Sequence, residues 1–181
     1  MRPVQSISST AWKAGKDVLF TEEDIRRLLH LEPLPGEGGF FRETYRSAIP
    51  MYSVSGGERS AASAIYYLLT PGIFSALHRL PGDEMFHFYL GDVVEMLQLH
   101  PAGQSRIVMI GNDLRSSVEP QVVVPGGVWQ GCRLRAGGRF ALMGTTMSPG
   151  FDLRDFQAGN RNALCAEYPS ERERILALTH P

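Results

Sequence analysis

Between residues 40 and 147 the chain is cut into about nine short runs rich in Val, Ile, Phe, Tyr and Thr. They are Phe40–Arg46, Ala61–Leu69, Phe74–Leu80, Glu84–Leu90, Val93–Leu99, Arg106–Ile110, Gln121–Val124, Val128–Leu134 and Arg139–Met147. Turn residues separate them, among them Pro71-Gly72, Pro81-Gly82, Gly111-Asn112-Asp113, Pro125-Gly126-Gly127 and Ala136-Gly137-Gly138. No helical period intervenes. Parallel strands need crossovers of about a dozen residues, usually helical. This spacing therefore excludes a doubly wound sheet and predicts an all-β, antiparallel sandwich or barrel. A short helix is expected on each side. Thr21-Glu22-Glu23-Asp24 starts one, with Ile25, Leu28 and Leu29 as its stripe and Pro33 and Pro35 beyond it. Ser170-Glu171-Arg172-Glu173 reads as a capping box before Ile175, Leu176 and Leu178.

With 181 residues, 43% of them hydrophobic, one domain can bury a core of its own. A net charge of -1 gives no basis for binding nucleic acid or an anionic membrane surface. No apolar run reaches membrane-spanning length. Residues 1–16 lack acids and carry Arg2, Lys13, Lys16 and several Ser and Thr, a faint likeness to a transit peptide. The preferred expectation is a flexible segment over 1–18 and a single domain over 19–181. Cys132 and Cys165 stand in no metal or redox spacing. They read as free thiols of a reducing, cytoplasmic protein, with one disulfide as the alternative.

The chemistry concentrates in Gly72-Ile73-Phe74-Ser75-Ala76-Leu77-His78 and Asp83-Glu84-Met85-Phe86-His87, closed by Gly91. This sets two histidines and a carboxylate on two adjacent expected strands. Here the chain resembles the cupin superfamily, whose fold is a small jelly-roll barrel. Gly72, His78, Glu84 and Gly91 fall in register with the first cupin motif, and Leu80 replaces its second histidine. Pro125 and Gly127 match the second motif, and Gln130 replaces its histidine. The chain is most similar to a branch of single-domain cupins from bacteria and yeast. That likeness rests on Glu37–Ser47, Ser75–Arg79, Asp83–Tyr89, Gln121–Pro125 and Ser148–Phe156, and it spans about Ile25 to Pro169.

The resemblance implies a cupin-type jelly-roll antiparallel β-barrel with short N-terminal and C-terminal helices. It places His78 and Glu84 inside and keeps only part of the usual metal cage. No cofactor is then required. A divalent transition metal would have to use His78, Glu84 and His87. Alternation sets positions 84 and 87 on opposite faces, so only a bulge could add His87. Metal-free cupin epimerases pair a histidine base with a tyrosine acid, which implies acid/base chemistry by His78, Glu84, His87 and Tyr45. Arg42, Gln121, Trp129, Gln130, Phe151 and Asp152 are the expected ligand contacts; Asp155 reads better as a turn anchor. The leading expectation is an isomerase, epimerase or lyase acting on a polar small molecule, sugar- or carboxylate-bearing. The alternatives are a non-catalytic binding or sensory cupin and a metal-dependent oxygenase. A homodimer through sheet edges is expected.

Overall fold

The computed structural model describes residues 20–52 and 56–180 of the chain. The expected flexible segment at 1–18 lies outside the described residues. Helix α1 (Glu22–Leu29) begins as its sequence predicts: Thr21 and Asp24 form a reciprocal capping box, and Ile25 is its buried residue. Among the described residues, thirteen strands follow.

Six make one sheet, in the order β1 (Glu32–Pro33), β2 (Phe40–Arg46), β5 (Ser63–Leu69), β12 (Ala141–Ser148), β7 (Asp83–Gly91) and β10 (Gln121–Val124). Five make a second, in the order β13 (Gln157–Ala158), β6 (Phe74–Arg79), β11 (Trp129–Leu134), β8 (Val94–His100) and β9 (Gln104–Ile110). β3 (Pro50–Tyr52) and β4 (Glu58–Ser60) form a small hairpin. Every pairing between named strands is antiparallel.

The sheets bury their inner faces against each other. Tyr67, Phe86, Val122 and Met143 from the first meet Met96, Val108 and Cys132 from the second in one cluster. The five-stranded sheet is buried on both faces, since its Leu77, Leu97, Leu99 and Trp129 pack outward against Leu164, Tyr168, Ile175 and Leu178. Those partners come from α2 (Arg161–Glu167) and α3 (Arg172–Ala177) and the residues beside them. Each such buried side chain contributes about 1.5–3 kcal/mol.

The C-terminal region differs from its expectation. It holds two helices, and α2 is capped by Asn160, whose side chain accepts from the Ala163 amide. The expected Ser170 capping box is not made. Pro169–Glu171 instead form a single 3-10 turn, and α3 starts at Arg172 without a side-chain cap.

Three bulges change which way side chains face. The β2–β5 register slips at Thr44, between Glu43 and Tyr45. The β7–β12 register slips at Tyr89, since Leu142 faces Leu90 while Met143 faces Phe88. The β6–β11 register slips where Gln130 faces His78 but Cys132 faces Ser75. That last slip inserts one extra residue into β6. Ser75 and His78 are three apart and would otherwise lie on opposite faces.

Candidate functional site

A cavity of about 80 Å³ opens between the sheets, large enough for several waters or a small organic molecule. Its wall is mostly apolar, from Leu34, Phe41, Ile65, Leu80, Met147 and Phe151. Into this wall are set His78 of β6, Glu84 of β7, Thr145 of β12, Tyr67 of β5, and Glu37 from the loop joining β1 to β2.

That loop reaches the cavity because it carries paired glycines. Gly38 and Gly39 have φ of +101° and +77°, a region that side chains disfavour. A Cβ on Gly38 would stand 2.3 Å from the Phe74 carbonyl oxygen, and one on Gly39 2.7 Å from the Tyr67 ring. The glycines let the loop lie flat on β5 and β6. The Ala76 amide donates to the Glu37 carbonyl (2.7 Å), and the Ser75 hydroxyl donates to the Glu37 carboxylate (2.8 Å). The Tyr67 hydroxyl donates to the Gly38 carbonyl (3.0 Å).

His78 is 1% exposed. Its Nδ1 lies 2.8 Å from the Ala76 carbonyl oxygen. A carbonyl can only accept, which assigns the ring proton to Nδ1 and leaves Nε2 bare in the neutral imidazole. Phe156 stacks on the ring at 5.1 Å. Nε2 stands 4.0 Å from a Glu37 carboxylate oxygen and 3.4 Å from the Gln130 amide nitrogen. The same amide nitrogen donates to Glu84 at 2.5 Å, so Gln130 of β11 bridges the two groups.

Burial and, after it, the negative charge of Glu37 push the Glu84 carboxyl above its ordinary range; His78, Thr145 and Gln130 oppose the shift. Burial pushes the Tyr67 phenol well up, with Glu37 adding to it. The buried Cys132 thiol moves up for the same two reasons, burial first. In all three groups burial works toward the neutral form.

The donor set does not suit the metal that a cupin motif implies. Leu80 and Gln130 occupy two ligand positions, and neither offers a histidine nitrogen. Among the described residues, no three His, Cys, Asp or Glu side chains converge as ligands. His87 does not fill the gap. The bulge in β7 falls at Tyr89, beyond both residues, so alternation holds between Glu84 and His87. His87 faces away from the cavity and its Nε2 lies 3.0 Å from the Thr146 hydroxyl.

The structure thus brings together His78, Glu84, Gln130 and Phe151 from the sequence expectations. It places the others elsewhere. Tyr45, just past the bulge at Thr44, is 55% exposed. Arg42 lies over the outer ring face of Tyr66 at 5.4 Å. Gln121 is exposed and its amide contacts the Met85 sulfur. Trp129 alternates with the inward Gln130, so it packs toward the helices, with Arg79 stacked 4.5 Å from its ring. Asp152 caps the 3-10 turn Leu153–Asp155, and Arg154 holds its carboxyl well below the usual carboxylate range. Residues that sequence reasoning did not assign to the site are Glu37, Ser75 and Thr145. Adjacent glycines such as Gly38-Gly39 permit a close backbone approach, but nothing in the sequence says what the loop approaches.

A family model described as Cupin superfamily (DUF985) matches residues 23–159. An uncharacterised protein of Saccharomyces cerevisiae is 32% identical over 140 residues, covering 66% of this chain and 66% of its own. The chain therefore spans just under two thirds of that relative's length. A hypothetical protein from Leishmania major superposes with a TM-score of 0.84 at 30% identity, covering 90% of this chain and 100% of that one. A Shewanella oneidensis protein gives 0.81 at 35% identity, covering 90% and 99%. With the matched model spanning every described strand and the histidine and glutamate of the first motif at the cavity, the chain belongs to the cupin superfamily, in its DUF985 family.

Proposed function

We propose that the two sheets act as a cupin-type jelly-roll barrel that binds a polar small molecule and moves protons on it, an isomerase, epimerase or lyase type of chemistry. The observation that carries this reading is the pairing of a bare His78 Nε2 with a buried Glu84 carboxyl on one apolar cavity. His78 takes a proton from the bound molecule at Nε2. The imidazolium that forms is met by the Glu37 carboxylate 4.0 Å away. Glu84, its carboxyl pushed above the ordinary range by burial and the Glu37 charge, supplies a proton at the other position. Its carboxylate product is held by the Gln130 amide and the Thr145 hydroxyl. Tyr67 donates to Gly38 and keeps its proton, so it shapes the cavity rather than exchanging protons.

The test is solvent-deuterium incorporation. The protein is incubated with pooled small metabolites in heavy water, and the compounds are read by mass spectrometry. Incorporation into at least one compound is expected, with a loss of about 100-fold or more in Glu84→Gln and in His78→Gln. A compound that binds in the cavity and is neither exchanged nor converted would overturn catalysis in favour of a binding protein.

A further inference from the structure

We infer that the cavity takes a small amine or alcohol and rejects carboxylates and phosphates. This rests on the proposed function only in treating the cavity as the ligand site. Glu37, Glu43 and Glu84 line the cavity, and among the described residues no Lys or Arg side chain does. Glu43 is neutralised at the rim by Arg46, whose Nε lies 3.0 Å from it. Among the described residues, no guanidinium pairs with Glu37 or Glu84. Nearby arginines are committed elsewhere: Arg59 to Asp155 through two bonds of 2.8 Å, Arg154 to Asp152, and Arg79 to Gln157. An anion would therefore enter a low-dielectric space that already holds the Glu37 carboxylate beside a second buried carboxyl, with no Lys or Arg among the described lining residues.

Hydrogen-bond capacity points the same way. The donors around the cavity are already used within the protein. Tyr67 donates to Gly38, Ser75 to Glu37, the Gln130 amide to Glu84, and His78 Nδ1 to Ala76. The acceptors are left over. His78 Nε2 carries no proton and meets only the Gln130 amide, at 3.4 Å, and the Glu37 and Glu84 carboxyl groups have remaining lone pairs. Gln130 is itself 2% exposed, and its amide stands against both His78 and Glu84. A ligand that satisfies this wall must bring N–H or O–H groups. Of the ligand classes expected from the sequence, this favours the hydroxyl-rich over the carboxylate-bearing.

Three molecules of one skeleton separate the cases: 2-aminoethanol, ethylene glycol and glycolate, a cation, a neutral donor and an anion. Each is titrated into the full-length protein at neutral pH and followed by calorimetry and by the histidine ring signals in NMR. The expected order is 2-aminoethanol first and glycolate last, with at least a ten-fold gap between them. Glu37→Gln, checked for its fold by circular dichroism, should narrow that gap several-fold. Glycolate binding as tightly as 2-aminoethanol, or no saturable binding by any of the three, overturns the inference. An amine that binds without ever exchanging a proton sinks the proposed catalysis and leaves the charge preference standing.

Discussion

Two groups of acids in this molecule show how differently one fold can use a carboxylate. At the segment leaving β12, Asp155 is gripped by Nε and Nη2 of the buried Arg59, and Asp152 is bound by Arg154 and lies 3.8 Å from Arg59. Every charge there has an opposite. Around the cavity, Glu37 and Glu84 share only His78 and neutral donors. The first group ties the C-terminal segment to the hairpin strand β4. The second keeps ionisable groups close together with nothing to fix their protonation. Matched charge makes a staple; unmatched buried acid makes a group that can hold or release a proton.

The largest effect should come from breaking the matched group. Arg59→Ala leaves Asp155 without its guanidinium, and urea unfolding should show a loss of about 3–5 kcal/mol. A loss near zero would mean the segment is held by its packing alone. The unmatched group should respond in the opposite sense. Glu84 sits above its ordinary range, so the folded protein holds a proton that the unfolded chain has released. Stability from this group is full below the ordinary carboxylate range and falls as pH rises through the folded value. Glu84→Gln removes that slope. Its melting temperature should exceed the wild type's at neutral pH, by a margin that shrinks toward acid. A variant less stable at neutral pH would break the contrast between the two groups. The smallest effect belongs to Asp152→Asn. Its partner Arg154 is 68% exposed, and the change should cost about 1 kcal/mol or less in the same urea measurement.

The strands were legible because their composition and turns agree at every step. β2 and β10 cover the expected Phe40–Arg46 and Gln121–Val124 without change. The hairpin of β3 and β4 was not legible, since Pro50–Tyr52 and Glu58–Ser60 are short, polar or exposed. Helix α2 escaped notice because it buries only Leu164 and shows little periodicity. At the site, strict alternation placed Glu84 inside and His87 outside, and the structure agrees because no bulge lies between them. Alternation also assigns Trp129 and Gln130 to opposite faces, and treating both as ligand contacts overlooked this. Tyr45 and Ser75 were out of reach of that rule. The first lies just past one bulge and the second beside another, and no residue type in either strand announces a slipped register. Glu37 was hidden for a different reason. It arrives from a loop, and loops have no period to read.

The slipped register in β6 also bears on how this sequence can change through time. Because one additional residue in β6 carries His78 to the same side as Ser75, the bulge and not their spacing alone sets which way each faces. Loss of a single codon between them would erase the bulge and leave Ser75 and His78 two apart in a regular strand, still on one face. A gene alignment would score that event as a lesion inside the motif, while the molecule would keep its base at the cavity.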